Sequence, residues 1–159
     1  MAIKVYKGDL PAGLDLGPEI AIDTETLGLN PLRDKLCVVQ LSSGDGNAHL
    51  VQLDRASYDA PQLKGLLENR SILKIFHFAR FDFATLKHYL GCKTGPLYCT
   101  KIASKLTRTY TDRHGLKDLV KELLGIELNK ALQAGSGGGA ALDNAAKQVK
   151  DYLTTAGYY

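Results

Sequence analysis

Three strand-like runs fall close together in the first third of the chain, and that spacing restricts the fold more than any other feature. Glu19–Glu25 (EIAIDTE) places Ile20 and Ile22 at alternate positions, Lys35–Leu41 (KLCVVQL) is rich in Val and Leu, and Ala48–Leu53 (AHLVQL) follows the turn signal Gly44-Asp45-Gly46-Asn47. Connections this short join neighbouring antiparallel strands, so the three predict a meander. The pattern then changes period. Pro61–Asn69 reads as a helix with Pro61 in its first turn, and Ile72–Phe76 as a buried strand. Helical spacing follows over Phe81–Leu90, ended by Gly91, over Lys101–Arg108, and over Leu116–Leu124, ended by Gly125. Strands first and then alternating helices and strands predict an α/β sandwich, a mixed sheet covered on both faces.

The chain has 159 residues, which suits one globular domain spanning 1–159, and its 45% hydrophobic content argues against disorder. No apolar run nears the roughly 20 residues that cross a bilayer, and the first residues lack the apolar stretch of a signal peptide. The expectation is a cytoplasmic protein with no membrane partner. Cys37, Cys92 and Cys99 are odd in number and lack metal-ligand spacing, as free thiols would. The net charge of +3 decides little, but residues 93–130 carry eight Lys/Arg against four acids. Such a stretch suits either phosphate neutralisation or a solvated helix face. Ala134–Ala141 (AGSGGGAA) has the composition of a flexible loop, and a last helix is expected over about 142–155.

The acids suggest chemistry. Asp23 and Glu25 lie two apart on a strand and therefore project from one face. They leave a run, Ile20-Ala21-Ile22, that belongs in a core, so the carboxylates repel each other and resist desolvation. A hard divalent cation with oxygen ligands relieves both costs; a strand end meeting solvent is the plainer alternative. Asp82 falls in the first turn of a helix after a buried strand, where the helix dipole favours an acid in any case. Its functional reading requires it to meet Asp23 at the end of the sheet.

Together these segments resemble a known family. Ile20–Leu27 (IAIDTETL) resembles the first motif of the DEDD superfamily of 3′-5′ exonucleases, and Phe76–Phe83 (FHFARFDF) resembles the second. Tyr98-Cys99-Thr100-Lys101 and Asp112–Leu119 (DRHGLKDL) extend the likeness to small single-domain bacterial ribonuclease D-like proteins. The resemblance implies a ribonuclease H-like fold with a five-stranded mixed sheet. It implies two divalent cations, Mg²⁺ or Mn²⁺, about 3.5–4 Å apart, held by Asp23, Glu25 and Asp82. It implies hydrolysis of nucleotides from 3′ ends of RNA or DNA, single strands preferred. Thr24 and Leu27 would lie beside the terminal nucleotide. Phe78, where many relatives carry Asn, and Phe81 would belong to the nucleic-acid surface, with Arg80, Lys101, Arg113, His114 and Lys117 as phosphate contacts.

The third family motif is Tyr-x-x-x-Asp, one helical turn apart. Tyr152 matches its tyrosine, which would orient the attacking water, but Ala156 stands where the fourth carboxylate belongs. Three acids therefore occupy a site that the family builds from four. That departure leaves an exonuclease of impaired activity and a catalytically silent nucleic-acid-binding relative as competing readings. An endonuclease on the same fold is a third. Oligomeric state is not legible from these residues.

Overall fold

The computed structural model describes residues 2–127. Tyr152, Ala156, the 134–141 loop and the helix expected over 142–155 lie outside the described residues. Within them the chain runs β1 (Ile3–Lys7), β2 (Glu19–Thr26), β3 (Leu36–Ser42), β4 (Ala48–Gln52), α1 (Pro61–Glu68), β5 (Leu73–Phe76), α2 (Ala79–Leu90), β6 (Leu97–Cys99), α3 (Thr100–Thr107) and α4 (Leu116–Leu124). The sheet order is β1-β4-β3-β2-β5-β6. β2, β3 and β4 form the antiparallel meander, and β1, β5 and β6 join in parallel, on β4, β2 and β5 respectively.

The expected five strands are thus corrected to six among the described residues. β1 was missed because it is an edge strand whose Ile3 and Val5 stay exposed, so it has no buried face to announce it. β6 has three residues, too few to show a period of two. Helix starts and ends otherwise follow the sequence signals within two residues. Gly91 and Gly125 both close their helices in the left-handed conformation, at φ 62° and 68°, which costs a residue without Cβ little.

Strand alternation divides the sheet into two faces. Ile20, Ile22 and Phe76 pack with Leu63 and Leu67 of α1 and Leu86 and Leu90 of α2. On the opposite face Tyr98 packs against Ala103 of α3 and Leu119 and Val120 of α4. Asp23 and Glu25, out of phase with Ile22, project on that second side. Lys74 is fully buried and donates from Nζ to the carbonyls of Asn69 and Gly95, tying the loop before β5 to the one before β6. Burial without an anionic partner pushes its pKa down to about 8. Among the described residues no helix is long and apolar enough to cross a membrane.

Leu86 is fully buried between α2 and the sheet. Replacing it with alanine leaves a cavity that neighbours fill only in part, and should lower unfolding free energy by about 2–5 kcal/mol. Urea denaturation of the variant measures this; a loss below about 1 kcal/mol would show that α2 is not packed as described.

Candidate active site

The site is assembled where β2 ends. β2 delivers Asp23 and Glu25 to one side, and a register shift between Glu25 and Thr26 against β3 bends the strand there. Bulges of this kind re-aim side chains. α2 delivers Asp82 from its first turn. The join between them is Thr24: its backbone N–H donates to Asp82 Oδ1 at 3.1 Å and its hydroxyl to the same oxygen at 2.6 Å. One threonine between two acids thus fixes a third acid 58 residues away. Thr24 itself is buried, so its side chain serves this clasp.

Electrostatics follow from burial. Desolvation, with the negative Glu25 nearby, raises the pKa of Asp23 to about 6. Desolvation raises Asp82 to about 7; hydrogen bonds from Thr24 oppose the shift and the charge of Asp23 reinforces it. Asp23 therefore feels both other acids, and the three share one neighbourhood. Glu25 is exposed, and its Oε1 accepts a hydrogen bond from Gln40 Nε2 on β3 at 3.2 Å. Among the described residues no ion pair reaches any of the three.

Among the described residues no three His, Cys, Asp or Glu side chains are gathered closely enough to form a ready metal cage. The donor set nevertheless fits a hard cation in chemistry. Its members are carboxylate oxygens, two are raised in pKa by burial, and a divalent charge would reverse both penalties. Asp23, Glu25 and Asp82 are the residues able to hold it.

The other expected contacts divide into two groups. Phe78, Arg80 and Phe81 line a hollow of about 280 Å³ with Pro31 and Ala84. Phe78 enters α2 in the left-handed conformation, at φ 69° and ψ 47°. A bulky residue is strained in that geometry and Asn tolerates it. Lys101 Nζ sits 4.4 Å from the centre of the Phe78 ring. Leu27 is exposed beyond the bulge. Next to it a Cβ on Gly28 would lie 2.2 Å from Asp34 Oδ2, so a larger residue there has to displace the Asp34 side chain.

Arg113, His114 and Lys117 lie around the start of α4. His114 Nδ1 bonds Ser104 Oγ at 2.8 Å, and the buried Arg108 holds Ser104 Oγ, the Arg113 carbonyl and Glu122. Among the described residues no hydrogen bond or ion pair connects this group to the carboxylates. Gln40, which bonds Glu25, is not among the site residues expected from sequence; a glutamine inside the apolar run Val38-Val39-Gln40-Leu41 is the available signal for it.

Three carboxylates at a strand end and helix start, on a mixed sheet with helices on both faces, define a ribonuclease H-like nuclease domain. The chain belongs to the 3′-5′ exonuclease family, whose profile matches residues 9–152. NrnC of Brucella melitensis bound to pGG is 45% identical with a TM-score of 0.88, the match covering 99% of this chain and 84% of that one. The same protein with bound Mg²⁺ is 45% identical with a TM-score of 0.81, covering 99% and 85%. Ribonuclease D of Bartonella henselae is 30% identical over 112 residues, 70% of this chain and 27% of the relative. The chain thus matches about a quarter of the length of the curated ribonuclease D proteins.

The raised carboxylates carry a sign. Folding lifts the pKa of Asp82 above its ordinary 3.8, so stability is complete below about pH 4 and is lost as pH rises toward 7. His77 works oppositely: burial and Lys101 lower it to about 4, so its contribution is lost as pH falls from about 6.5 to 4. Comparing Asp82→Asn with the parent isolates the carboxylate, because the amide oxygen still accepts from Thr24. In chelator at pH 7.5 the variant should be more stable, on the order of 4 kcal/mol at most, and the gain should vanish at pH 4. Thermal melts across this range test it; a variant less stable at pH 7.5 would contradict the desolvated carboxylate.

Proposed function

We propose that this chain is a divalent-cation-dependent exonuclease that hydrolyses nucleotides from the 3′ end of a single-stranded RNA or DNA. The observation that supports it best is the clasp of Thr24 on Asp82, which draws a helix acid to the Asp-x-Glu strand end. Asp23, Glu25 and Asp82 are the ligands in this reading. Two bound cations, Mg²⁺ or Mn²⁺, would supply activation of the attacking water and neutralisation of charge on the scissile phosphate. Raised carboxylate pKa values let the empty site take up protons, and so become less repulsive, as pH falls below about 7, and loading with a cation relieves the same repulsion. Gln40 orients Glu25 from behind.

Leu27, Phe78 and Phe81 offer apolar contact to the terminal bases, Lys101 and Arg80 offer charge to the backbone, and Tyr152 orients the water. Arg113, His114 and Lys117 form a separate basic patch for strand lying upstream. Binding of pGG by NrnC makes pGG a suitable first ligand here. Residues 1–159 form one nuclease domain on this account, acting in the cytoplasm. The alternative, a silent relative that grips 3′ ends, is favoured by one fact: Ala156 occupies the position of the fourth acid.

Incubation with 5′-labelled single strands of RNA and DNA separates these readings. A ladder shortening from the 3′ end with Mg²⁺ or Mn²⁺, and none with chelator, is expected. Asp82→Ala should remove it. Binding without shortening, rescued to cleavage by Ala156→Asp, would assign the defect to the missing ligand. Binding without rescue would favour the silent relative. Gln40→Leu should cost about 10–100-fold in cation affinity or rate, the usual effect of losing a partner behind a metal ligand. Titration of the rate with Mg²⁺ measures it, and an unchanged dependence would remove Gln40 from the site.

A further inference from the structure

Arg108 closes the turn between α3 and α4 from inside. Its side chain is only 3% exposed although it carries a permanent charge. Nη1 donates to Ser104 Oγ at 2.9 Å and to the Arg113 carbonyl at 2.8 Å. Nε donates to Glu122 Oε1 at 3.2 Å, and Nη2 reaches the other oxygen of the same carboxylate. One planar guanidinium thus ties α3, the turn before α4 and α4 itself together. The point charge of a lysine could not span all three.

Ser104 passes this order on to His114. Its hydroxyl oxygen accepts from Arg108 and lies 2.8 Å from His114 Nδ1. Ser104 is fully buried, and its proton has no other acceptor among the described residues. Were the ring to carry its proton on Nδ1, that hydroxyl proton would be sealed away unpaired, a costly arrangement. Ser104 therefore donates to Nδ1, which leaves the ring neutral with its proton on Nε2. Nε2–H has no partner among the described residues and is not sealed from solvent, since His114 is only half-buried. Arg113 just before it and Lys117 after it are exposed. Asp112 and Asp118 stand among these cations, so net charge does not decide how this stretch meets a phosphate. An oriented donor can.

Resting on the exonuclease reading above, we propose that Arg108 is a positioning residue: through Ser104 it fixes His114 as a neutral Nε2–H donor to a backbone phosphate of the bound strand. Arg113 and Lys117 hold the strand by charge, and His114 sets where along it a phosphate oxygen comes to rest. A neutral donor adds affinity without releasing a counterion from the strand, which separates it from the cations around it.

Fluorescence anisotropy across a salt series tests this, with a short single-stranded RNA labelled at its 5′ end and Ca²⁺ in place of Mg²⁺. His114→Phe should weaken binding about tenfold, the scale of one hydrogen bond to a charged oxygen, and leave the salt dependence unchanged. Lys117→Ala should also flatten the slope of log K against log salt by about 0.7, one neutralised phosphate on a single strand. His114→Gln, whose amide nitrogen falls near the place of Nε2, should recover part of the loss. Ser104→Ala, which keeps the Arg108–Glu122 pair, and Arg108→Lys should each weaken binding. Neither should weaken it further in a protein that already carries His114→Phe. Nitrogen-15 NMR of the unliganded protein should find the His114 proton on Nε2, and both tautomers in Ser104→Ala. A proton on Nδ1 in the parent would overturn the proposal. So would a salt slope that flattens with His114→Phe, full affinity in Arg108→Lys, or losses from Ser104→Ala and His114→Phe that add. Strand binding that His114→Phe leaves intact would overturn it while sparing the exonuclease reading; failure of the parent to bind any strand would remove both.

Discussion

The arrangement depends on one pair of hydrogen bonds, those that Thr24 gives to Asp82. Without them Asp82 would be a helix-start acid with the dipole as its only reason to be there, and Asp23-x-Glu25 would be an acidic strand end. With them, an acid from α2 is anchored to the backbone between the other two. The clasp also sets the electrostatics, since it holds Asp82 in a place where little water reaches its carboxylate. Such a site is costly when empty and charged. A divalent cation lowers that cost, which gives cation affinity and local stability a common physical origin.

The fold provides the rigid parts. β2 sits inside the sheet between β3 and β5, Asp23 pairs with Gln40 of β3, and the bulge after Glu25 disturbs the regular pairing at the end of the strand. α2 begins two residues after β5, through His77 and a left-handed Phe78, and this tight turn gives Asp82 little freedom to move away. Phe78 holds a left-handed conformation at the entry to α2, a strained geometry for a bulky residue, in the turn that leads to Asp82.

Much of this was legible in the sequence because it rests on short-range rules. Alternation named β2, β3 and β4; helical spacing and the two closing glycines named α1 to α4; Asp23, Glu25 and Asp82 stood out as acids against apolar context. What escaped depended on contacts distant in sequence. Edge strand β1 has no buried face, and β6 is too short to carry a pattern. The inward turn of Thr24 follows from alternation, but its partner 58 residues on does not. Gln40 needed the sheet register, which a single strand cannot reveal. The corrected strand count and the roles of these residues come from pairing, not from propensity.

Carbon-13 NMR of the side-chain carboxyls of Asp23 and Asp82, followed through a pH titration in chelator, tests the central claim most directly. The two carboxyls should titrate as a coupled pair with midpoints near 6 and 7, and both midpoints should fall sharply once Mg²⁺ is added. Midpoints near 4 that Mg²⁺ leaves in place would mean that the acids are separately solvated and share no cation.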